Sequence, residues 1–412
     1  MNIVFIHKIF PGQFKHLIKK LSASRGHRVI ALCQEFAPEF HARSYPGCEV
    51  RVYRPPHGLA GGIHPHAERW ESDVNNGQAV ANLLQALRAE GFCPDLILAH
   101  TGWGEALYCK DVFPDTPLIG YFEFYYQARG ADADFGQDQQ LSLDDCCRIR
   151  GLNAAQLLNL VSCDAGVSPT DWQRGLYPAE LRGKIHTVHE GVDVREFAPD
   201  RSACFTLPGG EKLDPGDELI TYVSRNMEPY RGFPQFMEAV EILQRRRPHA
   251  RALIAGGDGV SYSQPLRSGR SYREKVCDEL NLDMTRVHFL GWLPYAAYRN
   301  VLQVSAVHVY LTTPFVLSWS MLEAMASGCV VVASNTAPVR EVIRHGHNGL
   351  LCDFFSPAQI ADAIEAVLDH PVRLKSLGEQ ARRDVMEAFS LQNASLRYAQ
   401  LIENLTGNRI DL

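Results

Sequence analysis

The sequence predicts an α/β protein with two Rossmann-like halves, each built on a parallel sheet. Three observations carry this: the length, the alternation of short apolar runs with helical patterns, and one break in that alternation. At 412 residues the chain is longer than one ordinary core requires, so two domains are expected. Hydrophobic residues make up 46% and charged residues 21%, the balance of a globular protein able to fill two cores.

In the first half, strands are expected at 2–7, 28–33, 49–53, 95–100, 117–121, 165–168 and 184–189. Helices are expected at 13–24, 75–89, 105–112 and 156–162. Strands separated by helices imply a parallel sheet covered on both faces. Between Val192 and Glu218 the pattern gives way to Pro, Gly and charge (EFAPDRSACFTLPGGEKLDPGDE), which reads as a linker. A second series follows, with strands at 219–224, 251–255, 287–290, 307–311 and 330–333. Its helices are expected at 233–246, 272–280, 295–305 and 318–327, with more after Pro357. The expected division is a first domain at 1–195, a linker at 196–218 and a second domain at 219–385. A closing segment at 386–412 carries a helix that packs back on the first domain.

A formal net charge of −6 gives no reason to expect a nucleic-acid partner. Eleven cysteines, many inside apolar runs and with no CxxC among them, read as thiols in a reducing compartment. The start, MNIVFIHKIFPGQF, has no cleavage pattern behind its apolar run, and no stretch approaches the roughly 18 apolar residues of a membrane span. A cytoplasmic location is expected. The basic face of the first helix (Lys15, His16, Lys19, Lys20) is read as solvated, with peripheral docking on anionic lipid as its alternative.

Candidate site residues cluster after strands. Gly12, in Lys8-Ile9-Phe10-Pro11-Gly12-Gln13, follows the first strand, where a glycine lets backbone N–H groups approach an anion. Arg225 and Arg231 flank Asn226-Met227-Glu228-Pro229-Tyr230, and two guanidiniums in one loop suit a diphosphate. Gly257 and Asp258 lie in the loop Gly256-Gly257-Asp258-Gly259 after another strand. Ser318 reads as an N-cap and Gly328 as a helix stop, so that helix would aim its positive end at a phosphate. Trp319 opens that helix, and Glu323 lies about a turn further on, where a carboxylate can accept from ribose hydroxyls.

Taken in order, these motifs resemble family-4 retaining glycosyltransferases of the GT-B fold. The resemblance is carried by Arg225…Arg231-Gly232, Gly257-Asp258-Gly259, the run Leu322-Glu323-Ala324-Met325-Ala326-Ser327-Gly328, and Asn348-Gly349-Leu350-Leu351. Phe10-Pro11-Gly12-Gln13-Phe14 and Pro314-Phe315-Val316-Leu317-Ser318-Trp319-Ser320 are similar to one bacterial subgroup. It implies two Rossmann-like domains facing each other across a cleft, the first for an acceptor and the second for a nucleotide sugar. By the same likeness Arg225 and Arg231 neutralise the donor diphosphate, Glu323 holds the ribose, and Gly12 belongs to the first domain's glycine loop. His100, in Ala99-His100-Thr101-Gly102-Trp103-Gly104-Glu105, falls where the family places a histidine beside the transferred sugar. The implied partners are a nucleotide-diphosphate sugar and a glycan, glycolipid or protein acceptor, with no metal and no cofactor.

The chain departs from the family at one position. The first Glu of E-x7-E falls on Phe315, and the glycines of EGFG fall on Val316 and Ser318. Phe315 therefore stands as a donor-site residue that selects a different sugar, and a non-catalytic sugar-nucleotide-binding scaffold is the alternative reading. A sugar-nucleotide epimerase is a third, disfavoured by the LEAMASG and NGLL context. Asp132-Ala133-Asp134 resembles the DxD metal motif of the other large glycosyltransferase fold but is read as solvated or acceptor-facing, with metal dependence as the minor alternative. His64-Pro65-His66 and His345-Gly346-His347 are too short and isolated to read as metal sites.

Overall fold

The computed structural model describes residues 1–36, 45–58, 60–136 and 140–412, which divide into two compact units. The first comprises Met1–Gly191 with Leu391–Leu412, and the second Val192–Ser390.

The first unit is built on a seven-stranded sheet: β1 (Asn2–Ile6), β2 (Arg28–Cys33), β3 (Cys48–Val52), β4 (Leu96–His100), β5 (Leu118–Tyr121), β6 (Ala165–Ser168) and β7 (Ile185–Thr187). All neighbours pair in parallel, in the order β3-β2-β1-β4-β5-β6-β7. The central strands are apolar at successive positions because both faces are covered: Ile3 and Phe5 enter one buried cluster, Val4 and Ile6 the other. Helices α1 (Lys15–Ala23), α2 (Glu68–Ala89) and α3 (Ala154–Ser162) supply much of that cover. The order reverses beside β1, and there the loops after β1, β4 and β5 meet at the carboxyl edge, the usual ligand position in such sheets.

The second unit repeats the plan with six strands: β8 (Leu219–Asn226), β9 (Arg251–Gly257), β10 (Val287–Gly291), β11 (Val307–Tyr310), β12 (Val331–Ser334) and β13 (Leu350–Cys352). Their order is β10-β9-β8-β11-β12-β13, again all parallel. Around them stand α4 (Phe233–Arg246), α5 (Tyr295–Val304), α6 (Trp319–Ala326), α7 (Pro357–Asp369) and α8 (Pro371–Ala388).

Three differences from the sequence reading have physical reasons. The segment 196–218 is structured: Phe205–Thr206 pairs with Lys212–Leu213, and Phe205, Leu207 and Leu213 are buried against Leu219 and Leu253. Widely spaced apolar anchors among Pro, Gly and charge hide this packing from a periodicity reading. The expected helix at 75–89 begins at Glu68, because its buried face carries Asp73, Asn75 and Asn76 in place of aliphatics. The expected helix at 105–112 is a turn followed by the short helix Cys109–Val112.

The last helix, α9 (Leu391–Thr406), belongs to the first unit. Tyr398, Leu401 and Ile402 share a buried cluster with Ile3, Phe5 and Phe14. None of the eleven cysteines forms a disulfide. Among the described residues, no helix is long and apolar enough to cross a membrane.

Ile402 is fully buried in the first unit's core. Ile402→Ala is expected to destabilise that unit by about 2–5 kcal/mol. Amide hydrogen exchange should rise across β1 and β2 and stay unchanged in β8 and β9; an equal rise in both would contradict the assignment of α9.

Candidate functional site

At the carboxyl edge of the second sheet, β8 runs out through Arg225 and Asn226 into a tight turn ending at Gly232. Gly232 has φ 65° and its would-be Cβ lies 2.5 Å from Leu311 Cβ, so only glycine lets this turn lead into α4. Arg225 is exposed and makes no ion pair among the described residues. Arg231 is 7% exposed. Its Nη1 donates to Thr312 Oγ1 at 2.7 Å and to the Val316 carbonyl at 3.0 Å. The guanidinium carbon lies 5.4 Å from the Tyr262 ring centroid and 5.8 Å from that of Phe315. No carboxylate pairs with this cation among the described residues.

Glu228, fully buried in the same turn, accepts from three backbone N–H groups: Ser261 at 3.1 Å, Tyr262 at 3.0 Å and Ser263 at 2.8 Å. One carboxylate thus anchors the loop that sets Tyr262 beside Arg231. Phe315 packs edge-on to Tyr230 at 5.1 Å and lies 4.9 Å from Tyr262. The residue in place of the family's glutamate is one wall of an aromatic trio around Arg231.

The strand β11 leads through Thr312 to α6, capped by Ser318, whose Oγ accepts from the Ser320 N–H at 3.3 Å. The Ser318 N–H donates to Tyr310 Oη at 2.8 Å, and Trp319, half-buried, opens the helix. Glu323, 6% exposed, accepts from Tyr295 Oη at 2.5 Å and from Tyr298 Oη at 2.6 Å. Burial and the Glu323 charge push both phenols above their ordinary pKa. A carboxylate that accepts two phenol hydrogens is held rigidly and keeps lone pairs for further donors. Gly257 lies under Trp292, whose Nε1 would be 2.6 Å from an added Cβ, and Trp292 is 67% exposed. Asp258 forms an exposed ion pair with Arg273 at 2.8 Å.

In the first unit, the sequence candidates Gly12 and His100 meet through a third residue. Gly12 has φ 55°, and a Cβ there would come within 2.3 Å of His7 Nε2. His7 stands 4.9 Å from His100, which is sandwiched by Trp103 at 4.3 Å and Tyr121 at 5.3 Å. The Ile9 N–H donates to His7 Nδ1 at 2.9 Å, so Nε2 carries the proton and donates to Gln13 Oε1 at 2.6 Å. Gln13 Nε2 in turn donates to Glu123 Oε1 at 2.6 Å. The Gly102 N–H donates to His100 Nδ1 at 3.0 Å, which places the ring proton on Nε2, 3.5 Å from Glu123 Oε2. Burial opposes charge on Glu123, yet the adjacent His100, with His7 and Gln13, holds its pKa below the usual carboxylate range. Around this loop, Asn76 Nδ2 donates to the Trp103 carbonyl at 2.9 Å, and Arg69 reaches the Gly102 carbonyl.

The second unit thus gathers Arg231, Phe315, Ser318, Trp319 and Glu323 after β8 and β11, with Gly257 at the end of β9. Asp258 faces a surface arginine. His100 is 1% exposed; its Nδ1 accepts from the Gly102 N–H, and its Nε2 lies 3.5 Å from Glu123 Oε2 with no closer partner among the described residues. The residues that sequence reasoning passed over are His7, Glu123, Glu228, Tyr262, Trp292, Tyr295 and Tyr298. For Glu123 a signal existed: a lone acid in the apolar run Ile119-Gly120-Tyr121-Phe122-Glu123-Phe124, just past a strand. Asp134 accepts from the Gly130 N–H in a local turn, and His64 accepts from the His66 N–H.

This architecture defines a two-unit α/β protein of the GT-B class. Residues 25–197 match the family described as the glycosyl transferase family 4 group, and residues 208–384 match glycosyl transferases group 1. The chain belongs with the family-4-like glycosyltransferases of the GT-B fold. It is 28% identical over 218 residues to a D-inositol 3-phosphate glycosyltransferase of Rhodococcus jostii, covering 52% of this chain and 45% of the relative. A protein of the same description from Nocardia farcinica is 30% identical over 212 residues, 50% of this chain and 44% of the relative. The matched segment thus spans about half the length of these curated relatives. Among solved structures, Anabaena HepE in complex with UDP-glucose superposes with TM-score 0.73 at 15% identity, covering 98% of this chain and 100% of that one. Sucrose-phosphate synthase of Thermosynechococcus elongatus gives TM-score 0.71 at 18% identity, covering 99% of each chain. At those identities the likeness is one of fold.

Two fully enclosed histidines, His7 in the first unit and His308 in the second, have pKa values pushed down to about 3, by burial and, for His7, also by His100. Unfolded histidine titrates near 6.5. The folded form therefore binds fewer protons between these values, and stability present above pH ~6.5 is lost as pH falls towards ~3. Urea midpoints should fall from pH 7 to pH 4.5, at up to roughly 1.4 kcal/mol per pH unit for each histidine. Imidazole signals of His7 and His308 that titrated between pH 5 and 8 would contradict this.

Proposed function

We propose that this chain is a retaining glycosyltransferase that moves a sugar from a nucleotide-diphosphate donor to a glycan, lipid-linked or protein acceptor without a metal. The observation that carries it is Arg231: a buried guanidinium held by Thr312 and Val316, backed by aromatic rings and paired with no carboxylate among the described residues. A desolvated cation is costly until an anion meets it, and there its attraction is strongest. A diphosphate satisfies it in a bidentate manner.

Arg231 is aided by the exposed Arg225 and by the positive end of the α6 dipole at the Ser318 cap. Together they stabilise the negative charge that grows on the departing nucleoside diphosphate, the main electrostatic demand of the reaction. Glu323, oriented by Tyr295 and Tyr298, takes the ribose hydroxyls. Retention is implied by the family resemblance, with front-face attack and the leaving phosphate receiving the acceptor proton. No separate general base is assigned. Relatives named for D-inositol 3-phosphate make polyol phosphates the first acceptors to try.

Phe315 motivates a second reading, a sugar-nucleotide-binding scaffold, because an aromatic ring fills the position where the family carries a glutamate. A panel of UDP-, GDP-, TDP- and CDP-sugars, without added metal, separates the two. Thermal shift reports binding, and release of nucleoside diphosphate reports turnover. One donor should stabilise the chain and be hydrolysed slowly. Arg225→Ala and Arg231→Ala should each weaken binding by about 1.5–3 kcal/mol, roughly 10- to 150-fold, with the exposed Arg225 showing the stronger salt dependence. Binding without release, with cell extract as acceptor source, would favour the scaffold; no binding by any donor would overturn both readings.

A further inference from the structure

In the first unit's loops, the site histidine and the residue that can meet a ligand are different. His100 is 1% exposed, ringed by Trp103, Tyr121 and His7, and both its nitrogens face protein partners. The Glu123 side chain next to it keeps 27% exposure. Gln13 Nε2 donates to its Oε1 at 2.6 Å, and His100 Nε2 lies 3.5 Å from its Oε2. Its backbone carbonyl is fixed by Gln173 Nε2 at 2.6 Å.

We infer that Glu123 is the polar group the first unit presents to its substrate, an ionised carboxylate that accepts hydrogen bonds from sugar or polyol hydroxyls, with His100 acting behind it as a positioning residue. This rests on the glycosyltransferase reading and deepens it. A carboxylate is the residue suited to hydroxyls because it only accepts, through two oxygens with several lone pairs. The remaining lone pairs of Oε1 and Oε2 are the ones left for a ligand. Charge-assisted hydrogen bonds of this kind are the strong ones, and a fixed side chain loses little entropy in making them. His100 is set beside this carboxylate: its Nδ1 is occupied by the Gly102 N–H, so its proton is on Nε2, the ring atom that lies 3.5 Å from Glu123 Oε2. His7 and Gln13 extend the same alignment to the Gly12 loop.

The groups facing Glu123 are His100 after β4, His7 and Gln13 after β1, Tyr121 on its own strand, and Tyr177 beyond β6. His100 is the foremost of those that favour its charge. Removing His100 raises the Glu123 pKa, so the ionised form is lost at a higher pH as the solution is acidified.

The test uses the full chain and the donor identified by the panel. Glu123→Gln preserves an acceptor oxygen for Gln13 and removes the charge, and its melting temperature should match the wild type. Donor hydrolysis without acceptor should fall at least tenfold in kcat, with donor KM within threefold, if the hydroxyls belong to the transferred sugar. If they belong to the acceptor, hydrolysis is kept and transfer alone falls tenfold, with a raised acceptor KM. Either result supports the inference. In His100→Asn, the acid limb of the affected rate should move to higher pH. Glu123→Gln with wild-type hydrolysis and transfer, or an unmoved acid limb in His100→Asn, would overturn it. Failure of the glycosyltransferase reading is seen separately, as a wild type that binds and hydrolyses no donor. In that event, ligand-observed NMR with free glucose and inositol phosphate decides: binding to wild type lost in Glu123→Gln supports the hydroxyl site, and no binding overturns it.

Discussion

Burial of the Arg231 guanidinium is the constraint on which the second unit's site depends. A cation taken out of water needs hydrogen bonds and a favourable field. Thr312 and Val316 supply the bonds, so the chain after β11 must pass close to the turn after β8. That approach holds because β8 and β11 are parallel neighbours and because Gly232 has no side chain to push Leu311 away. The rings of Tyr262 and Phe315 add electron-rich faces. Tyr262 is in place because Glu228 gathers three N–H groups of its loop. These elements therefore hold one positive charge that no carboxylate pairs with among the described residues.

The first unit uses the same sheet order for the opposite electrostatic result. There the loops after β1, β4 and β5 converge on a carboxylate, and the histidines around it are arranged as donors. The tautomers follow from the backbone: Ile9 and Gly102 each offer an N–H to a histidine Nδ1, which leaves Nε2 as the only place for the proton. One architecture thus presents a buried guanidinium at one sheet's carboxyl edge and a hydrogen-bonded carboxylate at the other's.

What the sequence shows and what it hides follow from range. The strands and the Ser318 cap were legible because each depends on residues a few positions apart, such as the buried run Val331–Ser334 or Ser318 ahead of an apolar helix. Glu123 was not, because its meaning comes from Gln13, 110 positions away, and from His100 on another strand. His100 drew attention by its place after a strand, yet the fold encloses it. The tyrosines on Glu323 were hidden for the same reason: Tyr295 and Tyr298 sit one turn apart on α5, an ordinary amphipathic spacing, and only the packing of α5 beside α6 gives them a common partner.

Phe315 is best understood through Arg231. Its ring closes a trio with Tyr230 and Tyr262, and the guanidinium lies over two of the three rings. A carboxylate at position 315 would be placed within reach of Arg231 in a desolvated setting, where an internal ion pair competes with the diphosphate for the same donors. The phenylalanine therefore does more than remove a sugar contact. It leaves the guanidinium with no carboxylate partner among the described residues and makes that side of it aromatic. The chemistry lost at position 315 and the chemistry kept at Arg231 are thus two consequences of one packing decision.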